Sequence, residues 1–426
     1  MHVVRFPFKQ PAKAAIGLPS PYLRTASSQP IQSTSMAKSP NRSALVTVLP
    51  ETDMVKLKIL FVLLQLDAGG SERVALDLAR QFTSGGFEVY LAAFKGGALE
   101  TAFREVCREI FFINKKPGID FSSMWRLSQI IGQYRIDVVN AHHYMPCFYS
   151  FPGACVLHKR KLIYTEHSAP EVESIHAGFH GKLLNLMLHR IYKVVGVSRL
   201  IMETFKKGYP RHTGRFVTIL NGIEAEKFYQ PQFREEVRRQ FGFTREHYVV
   251  GTVANFRNIK NHACIVRAAA RLKDSCPHVR FLFVGTGFPG DSENSEETIR
   301  LLISKHQLED RVVLAGYQEN IPAMLASLDA FCLASFSEGL PVSILEAMAA
   351  GLPVIGSKVN GIQEVVDNQI TGLLFADNND KELTWLIENL AQGKIAGNRL
   401  IENAFVFLKD NHSYSKVYGE YCSLVS

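Results

Sequence analysis

The chain has 426 residues, of which 46% are apolar and 21% charged. That balance excludes fibrous, collagen-like and wholly disordered chains and leaves room for two or three domains with real cores. Its net charge of +8 does not signal nucleic acid: residues 1–50 carry six basic residues and no acid, and the remaining 376 hold 42 basic against 40 acidic. A near-neutral body lacks the basic stripe that nucleic-acid binding needs.

The longest apolar run, Ile59 to Leu64, is far shorter than the ~18 residues that span a bilayer. Seven cysteines without a Cys-x-x-Cys pair argue against a disulfide framework or a thiolate zinc site and fit a reducing cytosol. Residues 1–53 hold seven of the eighteen prolines, much Ser and Thr and little periodicity, so this segment is expected to be disordered. It reads as an over-long start or a dispensable leader, with an organelle transit peptide as the other reading.

From Met54 the pattern alternates strand and helix. "KLKILFVLL" is a strand, "QLDAGG" a turn, and "SERVALDLARQF" a helix with Val74, Leu78 and Phe82 on one face and Ser71 as its expected N-cap. "FEVYLAAF" completes a βαβ unit, and "REIFFIN", "DVVNAHH", "KLIYTEH" and "KVVGVS" are further strands. After a polar stretch from Gly222 to His247, a second series follows: "YVVGTVANF", "VRFLFVGTG", "RVVLAGY", "DAFCLAS", "LPVIGS" and "TGLLF". Strands this continuously apolar belong to parallel sheets covered on both faces. The expected architecture is therefore α/β, two doubly wound Rossmann-like domains over residues 54–228 and 229–404, with a C-terminal helix at 405–426 packing back on the first.

Ligands of open parallel sheets bind beyond the carboxyl ends of the strands. In the second domain those loops are "NFRNIKNH", "GTGFPG", "SFSEGLP" and "SKVNG", which supply Gly285, Gly287 and Gly339 for close backbone approach and the cations Arg257 and Lys260. A diphosphate suits this edge. In "FSEGLPVSILEAMAAGLPVIGS", Pro341 and Gly351 bracket an expected helix over 341–350. Glu346 is the only charged residue between Glu338 and Lys358, on a helix with little solvated face. Its carboxylate wants donors, and a ribose diol offers two; a structural partner, Lys or a backbone N–H, is the alternative. Glu338 reads either as a dipole cap or as a neighbour of the sugar.

The first domain offers Gly69 and Gly70, then His142 and His143, then Glu166 and His167. His176 and His180 have helical i, i+4 spacing suited to a metal, but Gly178 lies between them and no third ligand is evident. "HGKLLNLMLHRIYK" has an apolar stripe (Leu183, Leu184, Met187, Leu188, Ile191) flanked by cations, which reads as the core side of a sheet-covering helix or as a face for anionic lipid.

The Glu-x7-Glu pair Glu338 and Glu346 in its long motif, with "AGGSERV", "VANFRNIKNH" and "VGVS...ILNGIE", resembles glycosyltransferase family four over residues 56–395. The resemblance implies a GT-B fold whose two domains face across a cleft, a nucleotide-sugar donor held by the C-terminal domain, a glycan or lipid-linked acceptor on the N-terminal domain, and transfer with retention. It implies no cofactor and no obligatory metal, and a cytoplasmic location at the inner membrane face. Glu346 would take the ribose hydroxyls. Glu338 and the amides of the segment Gly339 to Val342, which contains Leu340 and Pro341, would lie at the sugar and phosphates, with Gly285 and Gly287 in the donor-side loop. Arg257 and Lys260 would clamp the diphosphate, Gly70 would let the first loop close on it, and His142 would face the donor sugar. The chain departs from the family pattern at Ala254-Asn255, where many members carry Gly-Arg, at Asn140, and in the long acidic loop after Gly287. A non-hydrolysing nucleotide-sugar epimerase, or a non-catalytic binding subunit, would share this architecture.

Overall fold

The computed structural model describes residues 56–426 except 68, 289 and 426, so the expected leader lies outside the described residues. The first sheet comprises β1 (Lys58–Leu63), β2 (Glu88–Ala93), β3 (Glu109–Phe112), β4 (Val138–His142), β5 (Lys161–Glu166), β6 (Lys193–Gly196) and β7 (Phe216–Thr218). They run parallel in the order β3-β2-β1-β4-β5-β6-β7. The second holds β8 (Tyr248–Val253), β9 (Val279–Val284), β10 (Val312–Gly316), β11 (Ala330–Leu333), β12 (Val354–Ser357) and β13 (Leu373–Phe375), parallel in the order β10-β9-β8-β11-β12-β13. All expected strands are present. Only the three-residue β7 was not legible in the sequence, being too short to show a pattern.

Both faces of each sheet are covered, which is why the strands are continuously apolar. Ile59, Phe61 and Leu63 of β1 face the helices Gly70–Ser84 and Tyr414–Val425, while Leu60 and Val62 face the layer that includes Leu127, Cys147 and Leu184. In both sheets the strand order reverses between the first strand and its inner neighbour, β1 beside β4 and β8 beside β11. The crevice at such a reversal is where α/β sheets bind ligands.

Three local expectations change. The helix Gly70–Ser84 starts one residue before Ser71, with Gly69 as its uncapped N-cap, and Ser71 Oγ donates instead to Glu72 at 2.8 Å. The later helix is Val342–Ala349; Pro341 is extended (φ −74°, ψ 101°), which carries the preceding loop outward before the helix can begin. The C-terminal segment is two helices, not one. Gly397–Asn411 lies in the second lobe, where Asn403 Nδ2 donates to the Ile370 carbonyl, and only Tyr414–Val425 crosses to the first, where the Tyr418 ring meets Phe82 at 5.5 Å. The buried His412 marks the break, its Nδ1 donating to the Asn221 carbonyl at 2.8 Å.

The polar stretch between the lobes contains the helix Arg234–Gln240. Arg238 is 4% exposed and donates to the carbonyls of Ser327, Thr244 and His247 and to Asp329, which also accepts from Arg234 and from Val249 N. One guanidinium thus ties the linker to the starts of β8 and β11. Replacing it with Ala strands the buried carbonyls and the carboxylate, so Arg238→Ala should cost about 3 kcal/mol, measured as a lowered urea midpoint of the second lobe. Arg245→Ala, whose ion pair is exposed, should change it by well under ~1 kcal/mol.

Candidate functional site

The carboxyl edges of the two sheets face each other. A Cβ built on Gly339, in the loop after β11, would sit 1.9 Å from the carbonyl oxygen of His167, in the loop after β5. No other residue fits there without moving one of the two loops. Nearby, Glu364 accepts from the main-chain N–H groups of Arg199 (2.7 Å) and Leu200 (2.9 Å), so a carboxylate of one lobe caps a helix of the other.

On the second lobe, Lys260 closes a 3₁₀ turn stabilised by Asn261 in the left-handed region (φ 48°). Its Nζ donates to Glu338 Oε1 at 2.6 Å, and Ser335 Oγ donates to the same oxygen at 2.6 Å. Glu338 is therefore no helix cap: its partners are a lysine and a serine. Arg257 turns the other way, its Nε 3.0 Å from Asp291 in the long acidic loop, out of hydrogen-bond alignment. The inserted loop thus occupies the side chain expected on a diphosphate. Gly285 (φ 145°) lies against the Ala254 carbonyl, and the Gly287 amide donates to Glu296 at 2.9 Å. Leu340 is buried, and its carbonyl accepts from Asn221 Nδ2 at 3.5 Å. Val342 opens the helix, which no side chain caps.

Glu346 is 6% exposed. Burial raises its pKa above the ordinary carboxyl value, Arg73 lowers it in part, and Asp77 adds to the rise. Arg73 Nη1 stands 3.9 Å from Glu346 Oε1, reaching across from the helix Gly70–Ser84. At that distance it balances charge without saturating the carboxylate. Gly70 opens that same helix, and the space where its Cβ would stand is open.

On the first lobe, His142 ends β4 fully buried, and its Nε2 has no partner. Its Nδ1 lies 3.0 Å from His167 Nε2, with the rings stacked at 23°. Burial, then the His143 charge, pushes His142 down to about 3, and burial drives His167 well below its ordinary value. Both are neutral near pH 7 and share one proton, whose side of the pair decides whether His142 Nε2 donates or accepts. His143 is the opposite case. Burial alone would lower its pKa, but hydrogen bonds to Glu166 (3.2 Å) and Glu171 (3.1 Å) and their charges outweigh that and hold it up to about 10. It does so in a left-handed backbone (φ 73°), and the buried Glu166 also accepts from Tyr164 Oη and from the N–H groups of His167 and Ser168.

His143, Glu166 and Glu171 are, among the described residues, the one trio whose metal-type donor atoms lie within 4.8 Å of one another. These donors are engaged with each other as an ion-pair network. The pair that the spacing of His176 and His180 offered does not form, in line with the doubt raised by Gly178, which separates the helices Ala169–His176 and Phe179–Met187; His180 Nδ1 pairs instead with Tyr144 Oη at 3.0 Å. The apolar stripe also resolves, since Leu184, Met187, Leu188 and Ile191 are all buried in the core. Arg73 and Glu364 were missed as site residues, and His167 was named at its strand end without a role. Arg73 stands inside the quoted "AGGSERV", but nothing local says that it reaches the other lobe.

Two family models match the chain, one described as Glycosyltransferase Family 4 over residues 68–227 and one as Glycosyl transferases group 1 over residues 233–406. An N-acetyl-alpha-D-glucosaminyl L-malate synthase of Bacillus anthracis is 27% identical over 322 residues, spanning 72% of this chain and 80% of that one. A UDP-Gal:alpha-D-GlcNAc-diphosphoundecaprenol alpha-1,3-galactosyltransferase of Escherichia coli is 25% identical and spans 75% and 84%. Among solved structures, Anabaena HepE in complex with UDP-glucose has a TM-score of 0.76 at 21% identity, covering 86% of this chain and 98% of that one. WaaG, a glycosyltransferase involved in lipopolysaccharide biosynthesis, has a TM-score of 0.69 at 17% identity, covering 86% and 99%. The fold is GT-B.

The network at His143 makes a signed prediction. Its folded-state pKa is raised, so its stabilisation is full below about pH 6.5 and is lost as pH rises through about 10. His143→Asn keeps a polar side chain on this strained backbone (φ 73°, ψ 164°) and removes the titration. Between pH 7 and 9 the parent should lose stability more steeply than His143→Asn, by up to about 1.4 kcal/mol per pH unit, read from urea melts at each pH.

Proposed function

Because the chain belongs to glycosyltransferase family four, the group 1 glycosyl transferases, we propose that it moves a hexose from a nucleotide-sugar donor to a glycan or lipid-linked acceptor with retention of anomeric configuration, at the inner face of the cell membrane. The carrying observation is the meeting, across one contact, of the Lys260–Glu338 pair and the unpartnered Nε2 of His142, linked through Gly339 and His167. The E. coli relative's name specifies a UDP-galactose donor and a diphosphoundecaprenol-linked acceptor, which supports this substrate class.

In this reading Glu346 accepts the ribose hydroxyls, gaining the donors that Arg73 at 3.9 Å does not supply. Departure of the nucleoside diphosphate needs its growing charge met by oriented groups. Lys260 and the amides of Gly339, Leu340 and Val342 meet it, and Arg257 joins once it leaves Asp291. No metal is required. Lys260 is held by Glu338 before the donor binds, so the diphosphate must compete with a carboxylate for it. His142, being neutral, orients the sugar by a hydrogen bond and adds no charge. The acceptor attacks from the face the diphosphate leaves, the leaving phosphate takes its proton, and lobe closure excludes water.

Thermal stabilisation of the full chain by UDP-, GDP-, ADP- and CDP-sugars tests the donor site. One nucleotide series should raise the midpoint with or without EDTA, Glu346→Ala and Lys260→Ala should each weaken it at least tenfold, and the product anomer should match the donor's. Transfer at the parent rate by both variants, or an inverted product, would contradict the reading. Donor turnover with no acceptor present would mark an epimerase instead.

A further inference from the structure

The donor site uses His142 and leaves the ring beside it, His167, without a role. Both rings are fixed by what surrounds them. His142 is the last residue of β4, the strand at the order reversal of the first sheet. Its ring packs on the Phe61 ring of β1, 5.8 Å away, and on the His167 ring, 5.1 Å away. His167 is held by its main chain: its N–H donates to Glu166 Oε1 at 2.7 Å, and its carbonyl oxygen is the group that Gly339 of the other lobe admits. Its ring also meets that of His143 at 5.1 Å. Neither imidazole is free to swing away, so the 3.0 Å between His142 Nδ1 and His167 Nε2 is a fixed hydrogen bond.

A neutral imidazole carries one hydrogen, so this bond can be made in two ways. In one, His167 Nε2–H donates to His142 Nδ1, and His142 keeps its own hydrogen on Nε2. In the other, His142 Nδ1–H donates, His142 Nε2 is a bare acceptor, and His167 has its hydrogen on Nδ1. The first puts both rings in the Nε2–H form, the commoner tautomer of a neutral imidazole in water; the second puts both in the rarer one. A second proton on either ring is opposed by burial and by the neighbouring His143, which Glu166 and Glu171 hold charged.

The bond also says what the orphaned atom needs. His142 is fully buried and its Nε2 has no partner, whereas His167 is half-buried. Nearly all buried polar atoms are hydrogen-bonded, so one left alone at the end of a switch-point strand marks where a ligand supplies the partner. With the hydrogen on Nε2, that partner is an acceptor oxygen.

We infer that His167 is a positioning residue for the donor sugar: its Nε2–H, donated to His142 Nδ1, keeps the hydrogen of His142 on Nε2, which gives it to a hydroxyl oxygen of the sugar. This rests on the reading of the chain as a nucleotide-sugar transferase and adds a selectivity to it. The site asks for an acceptor atom at one sugar position. A hydroxyl serves, a fluorine in its place serves in part, and a hydrogen leaves the buried N–H unpaired. The tautomer is also tied to the lobe contact, because the residue that sets it is the one whose carbonyl touches Gly339. Catalysis gains orientation from the pair and no charge, which is left to Lys260.

The hydrogen positions are read directly from two-bond proton–nitrogen correlation spectra of the full chain labelled with nitrogen-15 histidine, at neutral pH, with His142→Gln and His167→Gln assigning the two rings. Both rings should show their hydrogen on Nε2. A hydrogen on Nδ1 of His142, or a doubly protonated ring, would overturn the inference. Calorimetry with the nucleotide sugar that shifts the thermal midpoint supplies the second test. His167→Leu removes the N–H and should weaken donor binding at least tenfold. His167→Gln, whose amide N–H can reach the same nitrogen, should recover most of that loss, and neither change touches the main-chain contact with Gly339. Equal binding by the Leu and Gln variants would mean that the ring only fills space, and the inference would fall. Among deoxy and deoxyfluoro forms of that donor, one sugar position should favour fluorine over hydrogen at least threefold in the parent and not in His167→Leu; the lack of any such position would also overturn it. No binding by any nucleotide sugar, with both rings keeping their hydrogen on Nε2, would uphold the pairing and overturn the transferase reading instead.

Discussion

The contact between the 335–341 loop and the carbonyl of His167 is the constraint on which the site depends. It exists because residue 339 has no side chain, and it brings the switch-point loops of both sheets to one place. From the second lobe come Lys260, Ser335, Glu338 and the start of the helix carrying Glu346; from the first come His142, His143 and Arg73. Each lobe alone presents an ordinary doubly wound sheet edge. Together, at this distance, they enclose polar groups that neither core would tolerate unpartnered.

The charges follow one rule. Every carboxylate of the site is matched by a cation or by several N–H groups, and the matches differ in how readily they can be exchanged. Glu166 is fully committed, with a hydroxyl, two amides and His143. Glu338 holds Lys260 closely, and Glu346 has only the distant Arg73. The gradient runs from a fixed structural network in the first lobe to a loosely satisfied carboxylate in the second. In the proposed function it is the loosely satisfied groups that change partners when the donor arrives.

Much of this was legible in the sequence because parallel sheets write themselves as continuous apolar runs, and a lone carboxylate in an apolar helix is conspicuous. Glu346 and Lys260 stood out on composition of their neighbourhoods alone. Arg73 and Glu364 did not, and His167 stood out only as a strand-end residue, since their importance comes from reaching the opposite lobe, and no local pattern encodes a contact between residues so far apart in the chain. Arg257 was legible as a cation but not as the partner of Asp291, which depends on how an inserted loop folds back. The apolar stripe at 183–191 was visible, yet periodicity cannot say whether a helix turns such a stripe to the core or to a surface.

The central claim is that Glu346 receives the ribose diol of the donor. The most direct measurement is a cycle of four affinities, in which parent and Glu346→Ala each bind the nucleotide sugar and its 2′,3′-dideoxyribose analogue, by calorimetry. The account predicts that the analogue binds the parent at least tenfold more weakly and binds the variant about as well as the natural donor does, so that the two losses are coupled. Equal loss in parent and variant would contradict it and return Glu346 to a structural partner of Arg73.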